Sequence, residues 1–253
     1  MKNKQITHKN LNNGQETLIH YPQPDKEFQD QINEIFELEH YSQGKVKDGV
    51  YVDIGANIGM TALYFKDNAK KYYAIEPSGR CFEALKLNTK DLPNVELFNF
   101  AISPINGKDY LLTEDADSPP QSFFSMGSIH GRELVACKTL DMFFEENKIE
   151  HVDVMKIDVE SSEYLILPSE GFAKVADKID VIIGEAHYNL TGGIPQIIPV
   201  ILKDHGFETE FIKLKQPNYI YKLTFTNQAM VKKTYEYECS TMFVARRENG
   251  HKN

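Results

Sequence analysis

Apolar residues fall along this chain in short, spaced runs. Val50-Tyr51-Val52-Asp53-Ile54, Lys71-Tyr72-Tyr73-Ala74-Ile75, Val95 to Ile102, Val152-Asp153-Val154-Met155-Lys156-Ile157 and Ile179-Asp180-Val181-Ile182-Ile183-Gly184 have strand length and are rich in β-branched and aromatic residues. Such runs suit strands covered on both faces of a sheet. Helical segments stand between them. Met60 to Phe65 is one, Ser78 to Thr89 is a second with Ser78 as cap and Phe82, Leu85 and Leu87 for burial, and Thr139 to Asn147 is a third opened by Thr139. Strand alternating with helix predicts an α/β fold, a mostly parallel sheet with helices on both faces. A helix leading from Thr191 to His205 and closed by Gly206 precedes strands at Phe207 to Leu214 and Thr241 to Arg246, so the sheet is expected to finish antiparallel.

Less regular stretches surround this frame. Residues 1 to 25 are polar and end in Tyr21-Pro22-Gln23-Pro24-Asp25, an extended or turn segment. Phe28, Ile32, Ile35, Phe36 and Leu38 then recur at helical spacing between Asp25 and Tyr41, giving an amphipathic helix for which core packing is favoured over roofing a cleft. In 103 to 138, Leu111-Leu112 and Leu134-Val135-Ala136-Cys137 pair as a hairpin around a loop containing Phe123 to Ser128, read equally as a substrate flap or as disorder at the acidic tip Glu114-Asp115-Ala116-Asp117. The aromatic residues Tyr219, Tyr221, Phe225, Tyr235 and Tyr237 of 215 to 240 pack among themselves in the preferred reading and face a substrate or second subunit in the other, which leaves a homodimer open. The division expected is an N-terminal helical appendage at 1–45, a catalytic domain at 46–248 and a polar tail at 249–253.

Chemistry gathers where strands stop. The first run ends at Asp53 and turns through Gly55, Asn57 and Gly59 into a helix, a loop whose glycines permit positive φ and whose helix offers free N–H groups. Glu76 closes the second strand 21 residues beyond Gly55, where an acid accepts hydrogen bonds from a ribose diol. An acid at the turn is a poor neighbour for pyrophosphate and a good one for the ammonium and sulfonium charges of S-adenosylmethionine. A methyl donor is therefore preferred over the dinucleotide of an NAD-dependent Rossmann oxidoreductase.

Taken together, Asp53-Ile54-Gly55-Ala56-Asn57-Ile58-Gly59, Glu76-Pro77 and Met155-Lys156-Ile157-Asp158-Val159-Glu160-Ser161-Ser162-Glu163 resemble the FkbM family of S-adenosylmethionine-dependent methyltransferases over residues 49 to 185, with an echo at Phe243 to Arg247. Ser161 stands where that family's third motif usually carries glycine. The resemblance implies a Rossmann-like class I methyltransferase fold with a seven-stranded sheet, S-adenosylmethionine as cofactor and O-methylation of a hydroxyl on a small molecule, sugar or glycan. A non-catalytic module that only binds the donor is the remaining alternative.

Cofactor-binding candidates are Asp53, Gly55, Asn57, Gly59, Glu76 and Asp158, with Ala101 and Ile102 at the third strand's end weighed evenly between an adenine pocket and plain burial. At the next two strand ends Asp158, Glu160, Glu185 and His187 are the catalytic candidates, His187 as the base because an imidazole near 6.5 takes a hydroxyl proton at neutral pH. Asp158, Glu185 and His187 also form an oxygen and nitrogen donor set for a divalent ion, ranked below a metal-free site because no tight spacing such as His-x-x-x-His accompanies it.

Composition narrows the partners. With 253 residues and 41% apolar content one hydrophobic core serves the chain, and a formal charge of −9 with pI about 5.4 argues against nucleic acid. Cys81, Cys137 and Cys239, odd in number and widely spaced, fit reduced thiols in a cytoplasmic protein. The basic start Met1-Lys2-Asn3-Lys4 has no apolar stretch behind it, and the run Ile194 to Leu202, broken by Pro195 and Pro199, is too short to span a bilayer.

Overall fold

The apolar runs become neighbouring strands of one sheet. A computed structural model describes residues 4–9, 14, 16–21, 31–113, 131–187, 194–212, 220–226, 232–238 and 240–247. In chain order the strands are β1 (Lys4–Lys9), β2 (Glu16–Tyr21), β3 (Gly49–Ile54), β4 (Ala69–Ile75), β5 (Val95–Phe98), β6 (Ala101–Ile102), β7 (Gly107–Thr113), β8 (Gly131–Lys138), β9 (Val152–Ile157), β10 (Ile179–His187), β11 (Phe207–Phe211), β12 (Ile220–Thr226), β13 (Lys232–Glu238) and β14 (Ser240–Arg247). The helices are α1 (Met60–Phe65), α2 (Gly79–Thr89), α3 (Leu140–Glu146), α4 (Glu163–Ile166), α5 (Glu170–Ala173) and α6 (Ile198–Lys203).

Seven strands form the central sheet in the order β11-β14-β10-β9-β3-β4-β5. All pairings are parallel except those of β14, which runs antiparallel to both β10 and β11, so the expected mostly parallel sheet with an antiparallel C-terminal strand is present. Successive side chains of a strand face opposite ways, and the core accordingly splits in two. Val52, Ile54, Met155, Ile157 and Ile182 meet Phe143 and Phe144 of α3, Phe172 of α5 and Leu202 of α6 on one face. On the other, Tyr51, Val154 and Ile183 meet Met60 and Phe65 of α1, Leu85 of α2, and Ile32, Ile35 and Phe36 from the N-terminal segment.

Four expectations need correction. Residues 1 to 25 contain a β1–β2 hairpin, held to α2 because Asn88 accepts from the His20 N–H at 2.6 Å and donates to the His20 carbonyl at 2.8 Å. The helix expected from Asp25 to Tyr41 is described only from residue 31, includes a turn of π-helix at Asn33–Glu37, and stops before Tyr41; residues 22–30 lie outside the described residues. The third run is two strands: Asn99 donates to the carbonyls of Glu76 and Pro77, and beyond it Ala101 and Ile102 pair with Cys137 and Lys138 of β8 instead of continuing the sheet. Leu87 is exposed, because α2 buries the face carrying Cys81, Ala84, Leu85 and Asn88.

The β7–β8 hairpin forms where expected, with Leu111 opposite Glu133 and Tyr110 opposite Leu134. Its loop 123–128, the tail 249–253 and Cys239 fall outside the described residues, while Cys81 and Cys137 are buried free thiols. Among the described residues no helix is long and apolar enough to cross a membrane.

Candidate active site

The register of β3 against its neighbours assembles the first half of the site. Ile54 pairs with Ile75 and with Ile157, so the chain segments that follow all three strands emerge side by side at one edge. Gly55 has φ +83°, and a Cβ there would lie 1.9 Å from the Asp158 carbonyl oxygen, so only glycine lets the two strand tips approach this closely. The N–H groups of Gly55 and Ala56 both donate to the Ile75 carbonyl at 3.0 Å, which binds the loop to β4. Asn57 takes the left-handed region at φ +50°, and its N–H donates to Glu76 Oε2 at 2.8 Å, while the Ser78 N–H donates to Oε1 at 2.8 Å. Glu76 is buried, and burial, opposed by those two amides, pushes its carboxyl up to about 7. Gly59, at φ +87°, starts α1 against Leu85, and Asn88 donates to the Ile58 carbonyl at 2.7 Å.

Asp53 turns inward from this loop. Its Oδ2 accepts from the Thr61 hydroxyl at 2.6 Å and the Tyr72 hydroxyl at 2.7 Å, and its Oδ1 lies 3.2 Å from Lys156 Nζ. Asp53 and Lys156 are register partners on adjacent strands, so the pair shares one sheet face by construction. The Lys156 ammonium also donates to the Gly55 carbonyl at 2.6 Å and lies 3.5 Å from Asp158 Oδ2. Burial alone would lower its pKa, but Asp53 and Asp158 hold it above the ordinary lysine value. Lys156 thus ties Asp53, the glycine loop and the tip of β9 together through one charge.

The rest of the edge is built by β9 and β10. β10 runs to His187, three residues past its last pairing with β9 and longer than the sequence suggests, because Glu185, Ala186 and His187 pair with Met242, Thr241 and Ser240 of β14. Glu185 and His187, two residues apart, face the same way as Ile183, toward the side of the sheet that carries Lys156. His187 Nδ1 lies 3.0 Å from Glu163 Oε1, which also accepts from the Val159 N–H at 3.0 Å, and His187 Nε2 stands 3.5 Å from Glu160 Oε2 and 3.9 Å from Asp158 Oδ1. Tyr41, from the N-terminal segment, donates its hydroxyl to Asp158 Oδ2 at 3.2 Å, and Ser240 donates to Glu185.

Electrostatics differ here from what the residue types suggest. Burial would lower the His187 pKa, yet Glu163, Glu160 and Glu185 hold it well above 6.5, so the imidazole expected to start as a neutral base is charged in this arrangement. Burial and then Asp158 push Glu185 up to about 7, and burial followed by Asp158 raises the Tyr41 hydroxyl well above its usual value.

The structure therefore brings Gly55, Asn57, Gly59, Glu76, Asp158, Glu160, Glu185 and His187 to one sheet edge, with Asp53 directly beneath it. Ala101 and Ile102 are packed in the interior, Ile102 with Phe100 and Phe143 and Ala101 with Leu111, Val135 and Cys137. Ser161, in the family's glycine position, adopts φ +80° and Glu160 φ +51°, so the turn after β9 keeps the left-handed backbone that glycine would favour. Lys156 and Glu163 stood in the third motif without a role assigned to them, and Tyr41 was read only as the end of a helical stretch. The signal for Lys156 was a lysine deep in an apolar strand, two residues before Asp158; Tyr41, 117 residues from Asp158, carried none.

Several known proteins are similar to this chain. The AMB antimetabolite synthetase AmbE of Pseudomonas aeruginosa is 26% identical over 220 residues, a match that covers 69% of this chain and 10% of the synthetase. This chain therefore corresponds to about a tenth of that relative's length. Among solved structures, precorrin-6y C5,15-methyltransferase from Geobacter metallireducens aligns with TM-score 0.46 at 14% identity, covering 83% of this chain and 85% of the other. Aeropyrum pernix fibrillarin in complex with natively bound S-adenosyl-L-methionine aligns with TM-score 0.46 at 13% identity, covering 80% and 68%. Residues 53–209, more than half of the sequence and spanning every motif from Asp53 to His187, match the methyltransferase FkbM domain, and the chain belongs to the FkbM methyltransferase family.

Proposed function

We propose that this chain transfers a methyl group from S-adenosylmethionine to a hydroxyl oxygen of a small molecule or glycan. The observation that carries the reading is the charge balance of the cleft. Among the described residues at this edge, the carboxyl groups of Asp53, Glu76, Asp158, Glu160, Glu163 and Glu185 stand against the cations Lys156 and His187, a surplus of acid that suits a donor with ammonium and sulfonium charges and disfavours a pyrophosphate. When bound, the donor supplies an electrophilic methyl group.

The chain's own residues do the rest. Glu76, already fixed by the Asn57 and Ser78 amides, retains lone pairs for the two hydroxyls of a ribose. Asp53 acts through Lys156, whose hydrogen bond to the Gly55 carbonyl sets the loop. On the acceptor side Glu160 is 48% exposed and stands 3.5 Å from His187 Nε2, which makes it the carboxylate best placed to receive a proton from a hydroxyl entering the cleft. In such a transfer the S–CH3 bond would break as the acceptor's O–CH3 bond formed, Glu160 would take the proton released from the acceptor's O–H, and S-adenosylhomocysteine would be the product. Burial raises the Glu160 carboxyl above its ordinary range, which strengthens it as a proton acceptor, and the neighbouring His187, held by Glu163, opposes that rise.

Calorimetric titration tests the donor. The whole chain should bind S-adenosylhomocysteine and give no heat with NADH; binding of NADH alone would replace the methyl-transfer reading with hydride transfer.

A further inference from the structure

We propose that Asp158 Oδ1, a carboxylate oxygen of Glu185 and His187 Nε2 form a site for one divalent transition-metal cation, such as Mn2+ or Zn2+. The three side chains offer ligand atoms that all lie within 4.8 Å of one another, close enough for small rotamer adjustments to bring each onto one ion. Proximity alone is common among acids, and the stronger observation lies outside the set.

Each ligand has another atom already engaged by a residue that is not a ligand. His187 Nδ1 faces Oε1 of Glu163, a wholly buried carboxylate whose other oxygen, Oε2, is buried with no hydrogen-bond partner, and this fixes the ring with Nε2 toward the cluster. Asp158 Oδ2 receives the Tyr41 hydroxyl, leaving Oδ1 on the side of His187 Nε2, and Glu185 Oε1 receives the Ser240 hydroxyl. A carboxylate behind the imidazole and hydroxyls behind the carboxylates are the supports that orient metal ligands. One imidazole with two carboxylates favours Mn2+, Fe2+ or Zn2+ over Mg2+ or Ca2+, which prefer oxygen alone. The ion takes the place of the Nε2 proton that the metal-free imidazolium carries, so binding releases a proton, and three protein ligands leave coordination positions open.

On the methyl-transfer reading, from which this part follows, those positions take the acceptor. The substrate class becomes a molecule with two adjacent oxygens, a vicinal diol or an α-hydroxy acid, chelated so that one oxygen faces the methyl group. A second cluster, His151 with Asp153 at 3.5 Å and Asp180 at 3.3 Å, lies near the opposite ends of β9 and β10 and has a half-exposed imidazole, which makes it the natural control.

The experiment is a Mn2+ titration of the chelator-treated full chain, followed by the electron paramagnetic resonance signal of free Mn2+. Wild type should bind one ion. Asp158→Asn, Glu185→Gln and His187→Ala should each weaken it about 100-fold or more, Glu163→Gln, which touches no ion, about 10- to 100-fold, and His151→Ala not at all. Circular dichroism on every variant separates lost binding from lost folding. The proposal is overturned if wild type binds neither Mn2+ nor Zn2+, or if binding disappears in His151→Ala and survives in Asp158→Asn. S-adenosylhomocysteine binding without any metal would remove this site and keep the donor; Mn2+ binding as expected without S-adenosylhomocysteine would remove the donor and keep the site.

Discussion

Lys156 is the residue on which the site's internal order rests. Its ammonium is the counter-charge of Asp53, a carboxylate with no exposed surface, and replacing it with methionine leaves that charge buried with only two hydroxyl donors. Lys156→Met should lower unfolding free energy by about 3 to 5 kcal/mol in urea denaturation, the usual cost of breaking a buried pair from one side; a variant as stable as wild type would contradict the counter-charge role of Lys156. Glu76 makes a different demand. With its carboxyl raised to about 7 by burial, the native state takes up a proton between the ordinary 4.5 and 7 that the unfolded chain does not, so its contribution to stability is present below 4.5 and lost as pH rises through 7. Donor binding runs the other way, because the ionised carboxylate is the better acceptor for ribose hydroxyls. Affinity for S-adenosylhomocysteine should rise about tenfold from about pH 6 to pH 8, and calorimetry on Glu76→Gln should show that slope flattened. Glu76 was legible in the sequence because its spacing from Gly55 is local; Tyr41 and Glu163 were not, because only the folded chain brings them to Asp158 and His187.

Among the elements, the loop between β3 and α1 and the turn after β9 act as one unit. Gly55 and Asp158 approach so closely that Gly55→Ala places a methyl group against backbone, where no rotamer change relieves it, and φ +83° adds strain. The strand tips must part, so this variant should lose S-adenosylhomocysteine binding in the same calorimetric assay while keeping its far-ultraviolet circular dichroism; retained affinity would show the loop to be more adaptable than its geometry implies. Strands buried on both faces were readable, since their apolar runs are set by the core alone. Boundaries set by hydrogen bonding were not: β5 ends because Asn99 bonds to Glu76 and Pro77, and β10 continues because β14 pairs with it as far as Ser240. The β1–β2 hairpin escaped notice because Ile19 and Tyr21 are its buried residues and the others are exposed or half-buried, so no apolar run marks it.

For the molecule as a whole, the sheet order β11-β14-β10-β9-β3-β4-β5 places the ends of β3, β4, β9 and β10 together, and ligands of open α/β sheets bind at such carboxyl ends. The N-terminal segment adds Tyr41 from outside the family-matched residues, so the edge around Asp158 draws on more of the chain than its motifs span. The acid-rich composition becomes specific at this edge, where among the described residues carboxyl groups outnumber cations. The central claim, a methyl donor lying along this edge, is tested most directly by a crystal structure of the chain with S-adenosylhomocysteine. The account predicts ribose hydroxyls within hydrogen-bond distance of Glu76 and the sulfur facing Asp158, Glu160 and His187; a ligand that leaves Glu76 uncontacted, or whose sulfur points away from that edge, would contradict it.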